Sequence, residues 1–185
     1  MGVGRKMSNK QNVVKKSKFL SLVLRHKPEE IGLTLDDNGW ADVQELLKKA
    51  DMDMETLDEV VATNNKKRFA FNDDHSKIRA SQGHSIDIDL QIEPTKPPEH
   101  LFHGTATKFL GLIYYKGQGL IAKDRQHVHL SNDREIAVKV GSRHGTPVVL
   151  QVDTKLMYED GYKFYLSDNG VWLTDNVPAK YMKLM

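Results

Sequence analysis

Ile92-Glu93-Pro94-Thr95-Lys96-Pro97-Pro98-Glu99 is the stretch on which the fold turns. Three of the six prolines stand within it, at 94, 97 and 98. Each fixes its own φ and removes an amide donor, so the segment favours an extended, solvated backbone. We read residues 92–100 as a Pro-rich linker between a lobe over 1–91 and a lobe over 101–185.

Upstream, the order reads helix, turn, helix, helix, hairpin. Phe19, Leu22 and Val23 recur at helical spacing, and Pro28 stops the helix just after Arg25-His26. Asp36-Asp37-Asn38-Gly39 is a turn before Trp40. Val43, Leu46, Leu47 and Ala50 give a second amphipathic face, and Asp53 caps a third helix carrying Met54, Leu57, Val60 and Val61. Phe69 and Phe71 alternate with Arg68 and Ala70, Asn72-Asp73-Asp74 turns the chain, and Ile78 to Ala80 returns, with Arg79 at the strand's end. Three short helices followed by a hairpin predict a winged-helix-like lobe.

Downstream, strands dominate and helices interrupt. Leu101-Phe102-His103-Gly104-Thr105 reads as a strand ending in a tight turn, followed by a helix from Lys108 to Tyr115 that Gly117 and Gly119 stop. His127-Val128-His129-Leu130-Ser131 is a strand, and Asn132 with Glu135 forms a capping box for a helix from Asp133 to Val140. Arg143-His144 precedes the strand Pro147-Val148-Val149-Leu150, whose alternation continues through Val152. Ser167-Asp168-Asn169-Gly170 is a hairpin turn between Tyr162–Leu166 and Val171–Leu173. The fold class is α+β.

Composition narrows the function. A net charge of +2 excludes a generic polybasic clamp, although Lys15, Lys16, Lys18, Arg25, Lys27 and Lys66, Lys67, Arg68 form local basic clusters. The absence of cysteine excludes disulfides, thiolate zinc sites and cysteine nucleophiles. No segment reaches the roughly 18 apolar residues of a membrane span, and Met1 to Lys16 lacks the apolar core of a signal peptide. A soluble cytoplasmic protein is expected.

Arginines and histidines gather at the ends of apolar segments. A guanidinium is always charged and presents a fork of donors that matches phosphate oxygens. Arg25, Arg79 and Arg143 are therefore candidates for a phosphate site, although a cation at a helix C-terminus also complements the helix dipole. Gly117-Gln118-Gly119 follows a helix and lacks a third glycine, so it is a helix stop and not a dinucleotide loop. His127 and His129 lie two apart on a strand, which puts both rings on one face; the pair is short of the ligands that zinc needs, and no metal is expected.

Together these segments resemble the RNA 2′-phosphotransferase family. The matching stretches are Ser17–Pro28, Asp37–Ala41, Lys67–Phe69, Ile78–Ser85, Phe102–Thr105, Val128–Ser131, Gly141–Gly145 and Asn169–Thr174. They run in family order from about Lys16 to Pro178. The resemblance implies a winged-helix-like RNA lobe and an ADP-ribosyltransferase-like lobe with the active site between them, and NAD as a consumed co-substrate. It assigns catalysis to Arg25, His26, Arg79 and Arg143, and NAD binding to His103, Gly104, Thr105, His129 and Ser131. Gly104, lacking a side chain, is expected to let NAD come close to the backbone. Where many ADP-ribosyltransferases carry a glutamate this chain has Val171, which agrees with the family and counts against protein-directed ADP-ribosylation.

The implied reaction has two steps. An RNA 2′-phosphate attacks C1″ of the NAD ribose and nicotinamide leaves; a phosphate monoester is already anionic, so alignment matters more than a base. The 2″-hydroxyl of the 2′-phospho-ADP-ribosyl intermediate then attacks phosphorus, releasing 2′-hydroxyl RNA and ADP-ribose 1″,2″-cyclic phosphate. Arginines would stabilise the charge that builds there. His26 serves as acid and base or as a hydrogen-bond donor to phosphate, while His84, His127 and His144 receive no role. The implied partner is a tRNA-like RNA bearing a 2′-phosphate, engaged by a monomer. Two alternatives stand beside this reading: an ADP-ribosyltransferase that caps terminal phosphates of nucleic acids, and a winged-helix regulator that senses NAD.

Overall fold

The apolar run before Arg25 builds the helix that organises the first half of the molecule. In the computed structural model, which describes residues 9–64 and 66–185, α1 spans Asn9–Arg25 and buries Leu20, Val23 and Leu24 completely. Of the Phe19, Leu22 and Val23 set, Val23 lies in the core and Phe19 packs against it, while Leu20 and Leu24 take the place of Leu22. Phe19 is only partly buried and Leu22 is exposed, because successive residues on a helix differ by about 100° and both sets satisfy the helical period. The amides of His26 and Lys27 both return to the Leu22 carbonyl (3.0 and 2.8 Å). A single 3₁₀ turn, Pro28–Ile31, follows and closes on Gly32 at φ 63°. Pro28 ends the helix, as expected.

The strand β1 (Ala41–Asp42) passes directly into α2 (Val43–Lys49), which Asp42 caps by accepting from the Glu45 amide. Asp53 caps α3 (Met54–Thr63) in the same way through the Thr56 amide, each cap contributing about 1 kcal/mol. The expected hairpin forms from β2 (Phe69–Phe71) and β3 (Lys77–Ala80), paired antiparallel with Ala70 opposite Arg79. β1 pairs with the other edge of β3, giving the order β1-β3-β2. Leu46, Leu57, Val60, Phe69, Ile78 and Ala80 close the core over α1. Alternation on β3 sends Ile78 and Ala80 inward and leaves Arg79 on the other face.

The chain divides into two units between Gln91 and Ile92. Residues 92–100 group with the second unit: Pro94 bridges to Tyr165, and the Thr95 amide donates to the Phe164 carbonyl at 2.8 Å. There β4 (His100–Ala106) leads through a 3₁₀ turn at Thr107–Phe109 and a π turn at Gly111–Tyr115 to β5 (Leu120–Ile121) and β6 (Val128–Leu130). The helix expected from about Lys108 to Tyr115 is thus helical but split into two irregular turns, with no α-helix. Gly111 sits inside that segment, where a glycine weakens regular helix, and the Lys116 amide reaches back five residues to the Gly111 carbonyl.

Next come α4 (Arg134–Ser142), β7 (Pro147–Asp153), α5 (Thr154–Glu159), β8 (Tyr165–Leu166), β9 (Trp172–Thr174), β10 (Asn176–Val177) and β11 (Met182–Leu184). Three small antiparallel sheets result, ordered β11-β7-β4, β6-β9-β8 and β10-β5. The architecture is α+β. The cap of α4 is Asp133, not Asn132, with its carboxylate accepting from the Glu135 and Ile136 amides. Ser131 shifts the start by taking the Asp133 amide on its hydroxyl, which keeps the chain turning through 132. The helix also runs past Val140 to Ser142, so Arg143 is its C-cap.

Two glycines set how closely α4 lies on β4. A Cβ at Gly104 would stand 1.7 Å from the Ala137 carbonyl oxygen, and one at Gly141 would stand 2.5 Å from the Thr105 oxygen. Helix and strand backbones touch there. Glycine at 104 is accordingly a packing requirement of α4. Leu101, Leu150, Val152, Met157 and Phe164 lie fully buried beneath.

Candidate functional site

The first unit gathers a cationic cluster at the C-terminal end of α1. The Arg25 carbonyl accepts from the Ser85 amide (3.0 Å), and His26 Nδ1 lies 2.8 Å from Ser85 Oγ. The Arg25 guanidinium runs past Gly83, within 3.6–3.7 Å of where a Cβ would be. Gly83 has φ 87°, a conformation that calls for glycine.

Arg79 comes to the same place from β3. Its guanidinium lies 4.4 Å from the centre of the Trp40 ring, and Nη1 points at the Asn38 and Leu90 carbonyls at 3.4 and 3.5 Å. The turn explains Trp40: Asp36 accepts from the Asn38 and Trp40 amides (3.0 and 2.9 Å), and Gly39 adopts φ 82°. The stretch Asp37–Trp40 thus builds a seat for an arginine.

His84 sits within this cluster. It is 1% exposed, and neither ring nitrogen has a hydrogen-bond partner within the protein. Burial, then the charges of Arg25, His26 and Arg79, push its pKa down to about 4. A neutral imidazole adds no charge of its own to that of the guanidiniums, whose donors favour an anion.

The second unit holds a separate cleft of about 340 Å³, lined by His103, Gly104, Thr105, Phe109, Arg125, His129 and their neighbours. His103 Nδ1 lies 2.9 Å from the His129 carbonyl. A carbonyl only accepts, so Nδ1 carries the proton and Nε2 remains an acceptor. Burial holds the His103 pKa below its ordinary value. His129 Nδ1 lies 2.7 Å from Arg125 Nη1. A guanidinium only donates, so His129 accepts there and its proton is on Nε2.

Burial first, and then the Arg143 charge, lower the basicity of Arg125. Lys108 and Lys123 lie over the Phe109 ring at 5.2 and 4.8 Å, and His144 meets its edge at 6.5 Å. Asp124 brings a carboxylate to the wall, but the surroundings are predominantly cationic.

Arg25, His26 and Arg79 therefore share one locality in the first unit, whereas Arg143 belongs to the second. Of the five residues expected at NAD, His103, Gly104, Thr105 and His129 line the cleft. Ser131 does not: its hydroxyl donates to the Asp133 carbonyl and fixes the entry to α4, while its backbone pairs with Phe102. His127 lines the cleft beside His129 and stands 3.8 Å from Asp175. Residues that sequence reasoning passed over are Arg125, Lys123 and Phe109. Arg125, four residues ahead of His129, is the one a search for cations near the histidine pair would have found.

Comparison with known proteins agrees. A family model described as RNA 2′-phosphotransferase, Tpt1/KptA family, matches residues 11–176. A Flavobacterium johnsoniae protein named "Probable RNA 2′-phosphotransferase" is 58% identical over 179 residues, covering 94% of this chain and 97% of the relative. Proteins of the same name from Hahella chejuensis and Fusobacterium nucleatum are 54% and 51% identical over 175 and 178 residues. They cover 92% and 93% of this chain, and 93% and 98% of those relatives. From a match spanning both units, the chain belongs to the RNA 2′-phosphotransferase, Tpt1/KptA family.

Proposed function

We propose that the protein removes a 2′-phosphate from RNA and consumes NAD in doing so. The observation that carries this reading is the gathering of Arg25, His26 and Arg79 around one buried, neutral histidine. That arrangement attracts a dianionic phosphate monoester. In this reading Arg143 joins the same phosphate, and the first unit is winged-helix-like, with α2 and α3 preceding the β2–β3 hairpin.

The cleft of the second unit fits NAD, and the lobe would be ADP-ribosyltransferase-like. His103 Nε2 would accept from a ribose hydroxyl, the Gly104 and Thr105 backbone would line the wall, and Arg125 and Lys123 would supply cations for the pyrophosphate. NAD supplies the ribose C1″ electrophile with nicotinamide as leaving group. The arginines hold the 2′-phosphate in line and offset repulsion between two anionic reactants. In the second step the 2″-hydroxyl displaces the RNA 2′-oxygen from phosphorus, which takes up a proton as the 2″-oxygen loses one. Arginine donors meet the charge that develops on the non-bridging oxygens. His26, held through Nδ1 by Ser85, carries the proton or donates to phosphate. Work proceeds in a cytoplasmic monomer on tRNA-like substrates.

The test is coupling. Nicotinamide release from NAD should require an internally 2′-phosphorylated oligonucleotide, in a ratio of about one to one, and should not occur with the 2′-hydroxyl form. Equal release with both would overturn the reading.

A further inference from the structure

We infer that a second pocket of the second unit, between the Pro-rich segment and the turn after α5, binds one nucleotide. The site stands apart from the proposed reaction and does not depend on it. The pocket encloses about 290 Å³, at the lower end of the range for small-molecule sites. Pro94 and Lys96 line it from the Pro-rich segment, and Tyr158, Tyr162 and Lys163 from the stretch around the end of α5. No lining residue is shared with the cleft proposed for NAD.

Two features together select a nucleotide. The charged side chains lining the pocket are Lys96 and Lys163, both exposed, and neither forms an ion pair among the described residues. Two unpaired ammonium groups on one small pocket attract a phosphate. Aromatic surface is the second feature: Tyr158 is 44% exposed and Tyr162 is partly exposed. Tyrosine offers a large flat face at low entropic cost, and every nucleobase has a π-face to lay on it. Lysines alone would take any anion, and tyrosines alone any flat apolar group. Combined, they ask for a base joined to a phosphate.

The walls are set before a ligand arrives. The Thr95 amide on the Phe164 carbonyl and the bridge from Pro94 to Tyr165 hold the Pro-rich segment against residues 164–165. Gly161 turns the chain at φ 97°, with open space where a Cβ would stand. The Tyr162 amide then returns to the Met157 carbonyl at 3.0 Å, and its ring meets that of Tyr181 edge-on at 5.4 Å. Tyr181 in turn donates to Asp160 Oδ2 at 2.6 Å, which engages one carboxylate of this turn, while Glu159 does not line the pocket. A pocket held in this way loses little entropy when it is filled.

The experiment titrates the full chain with uridine 5′-monophosphate, whose base is no part of NAD, and with uridine and inorganic phosphate separately. The variants are Tyr158→Ala, Lys163→Glu and the conservative Tyr158→Phe, at exposed positions where thermal melts check the fold. Uridine monophosphate should bind at least about tenfold more tightly than either fragment, since base and phosphate are held together. Tyr158→Ala and Lys163→Glu should each weaken it about tenfold, and Tyr158→Phe should keep it within about twofold of wild type. The 4-thio analogue should photocrosslink to the peptide carrying Tyr158 and Tyr162. Unchanged affinity in the first two variants, or inorganic phosphate binding as tightly as the nucleotide, would overturn the site, as would crosslinks confined to the NAD cleft or to the first unit. A decamer of uridylate separates the sources: equal losses for decamer and monomer place the nucleotide in an RNA strand, and losses for the monomer alone make the ligand a free nucleotide. Nicotinamide release is followed in the same variants, so that failure of the proposed reaction and failure of this site are read separately.

Discussion

Two histidines, one in each unit, are both held neutral, and by different means. His84 is discharged by burial and then by the charges of Arg25, His26 and Arg79, with no hydrogen bond to either nitrogen from the protein. His103 is discharged chiefly by burial, while its bond to the His129 carbonyl fixes its tautomer and partly offsets the shift. The first environment is a field awaiting an anion; the second is a directional acceptor placed in a cleft. In the proposed reaction the difference becomes a division of labour, with phosphate held by charge and NAD by shape and hydrogen bonds.

The comparison breaks most visibly at the arginines. Alanine at Arg25, Arg79 or Arg143 should lower kcat/KM at least ~100-fold, about 3 kcal/mol of transition-state stabilisation. Lysine should restore only part of this, because it is a point charge without the guanidinium fork. Activity retained within tenfold in the alanine variants would remove those residues from the phosphate.

The next effect is on stability in acid. His84 has an ordinary pKa of 6.5 and is held at about 4 in the fold. Between those values the unfolded chain binds the proton and the folded chain does not, so stability rises with pH across that window. Acidification from pH 6.5 towards 4 should cost up to about 3 kcal/mol through His84. Thermal melts of the wild type and His84→Asn over this range should diverge, the wild type falling more steeply. Parallel curves would mean that His84 is not held neutral by its surroundings.

Gly104→Ala tests the second unit without touching charge. Its Cβ would meet the Ala137 oxygen at 1.7 Å, forcing α4 off β4 at a cost of about 1–3 kcal/mol, read as a Tm lower by several degrees. An unchanged Tm would contradict the backbone contact. The smallest of these effects is His103→Ala, expected to raise KM for NAD about tenfold through loss of one oriented acceptor and to leave KM for the RNA unchanged. A rise in both would put His103 in a shared framework and not at NAD.

Local signals were the legible part of this fold. Pro28 stops a helix, Asp53 caps one, and Asn72 to Asp74 turn a hairpin because each acts on backbone within a few residues of itself. On α1 the helical spacing places Val23 in the core, but only packing chooses Leu20 and Leu24 over Leu22 beside it. Asn132 and Asp133 are both good caps, and the choice fell to Ser131, which contacts Asp133. At the candidate site the residue types could be read, but their states could not. The proton on His103 depends on a carbonyl 26 residues away, the seat of Arg79 on a turn 41 residues upstream, and the neutrality of His84 on charges from α1 and β3.

The fate of the phosphorus atom tests the central claim most directly. With an oligonucleotide carrying 32P in its internal 2′-phosphate, the label should leave the RNA only when NAD is present and appear in ADP-ribose 1″,2″-cyclic phosphate. Label that stays on the RNA, or that is released as inorganic phosphate without NAD, would contradict the account.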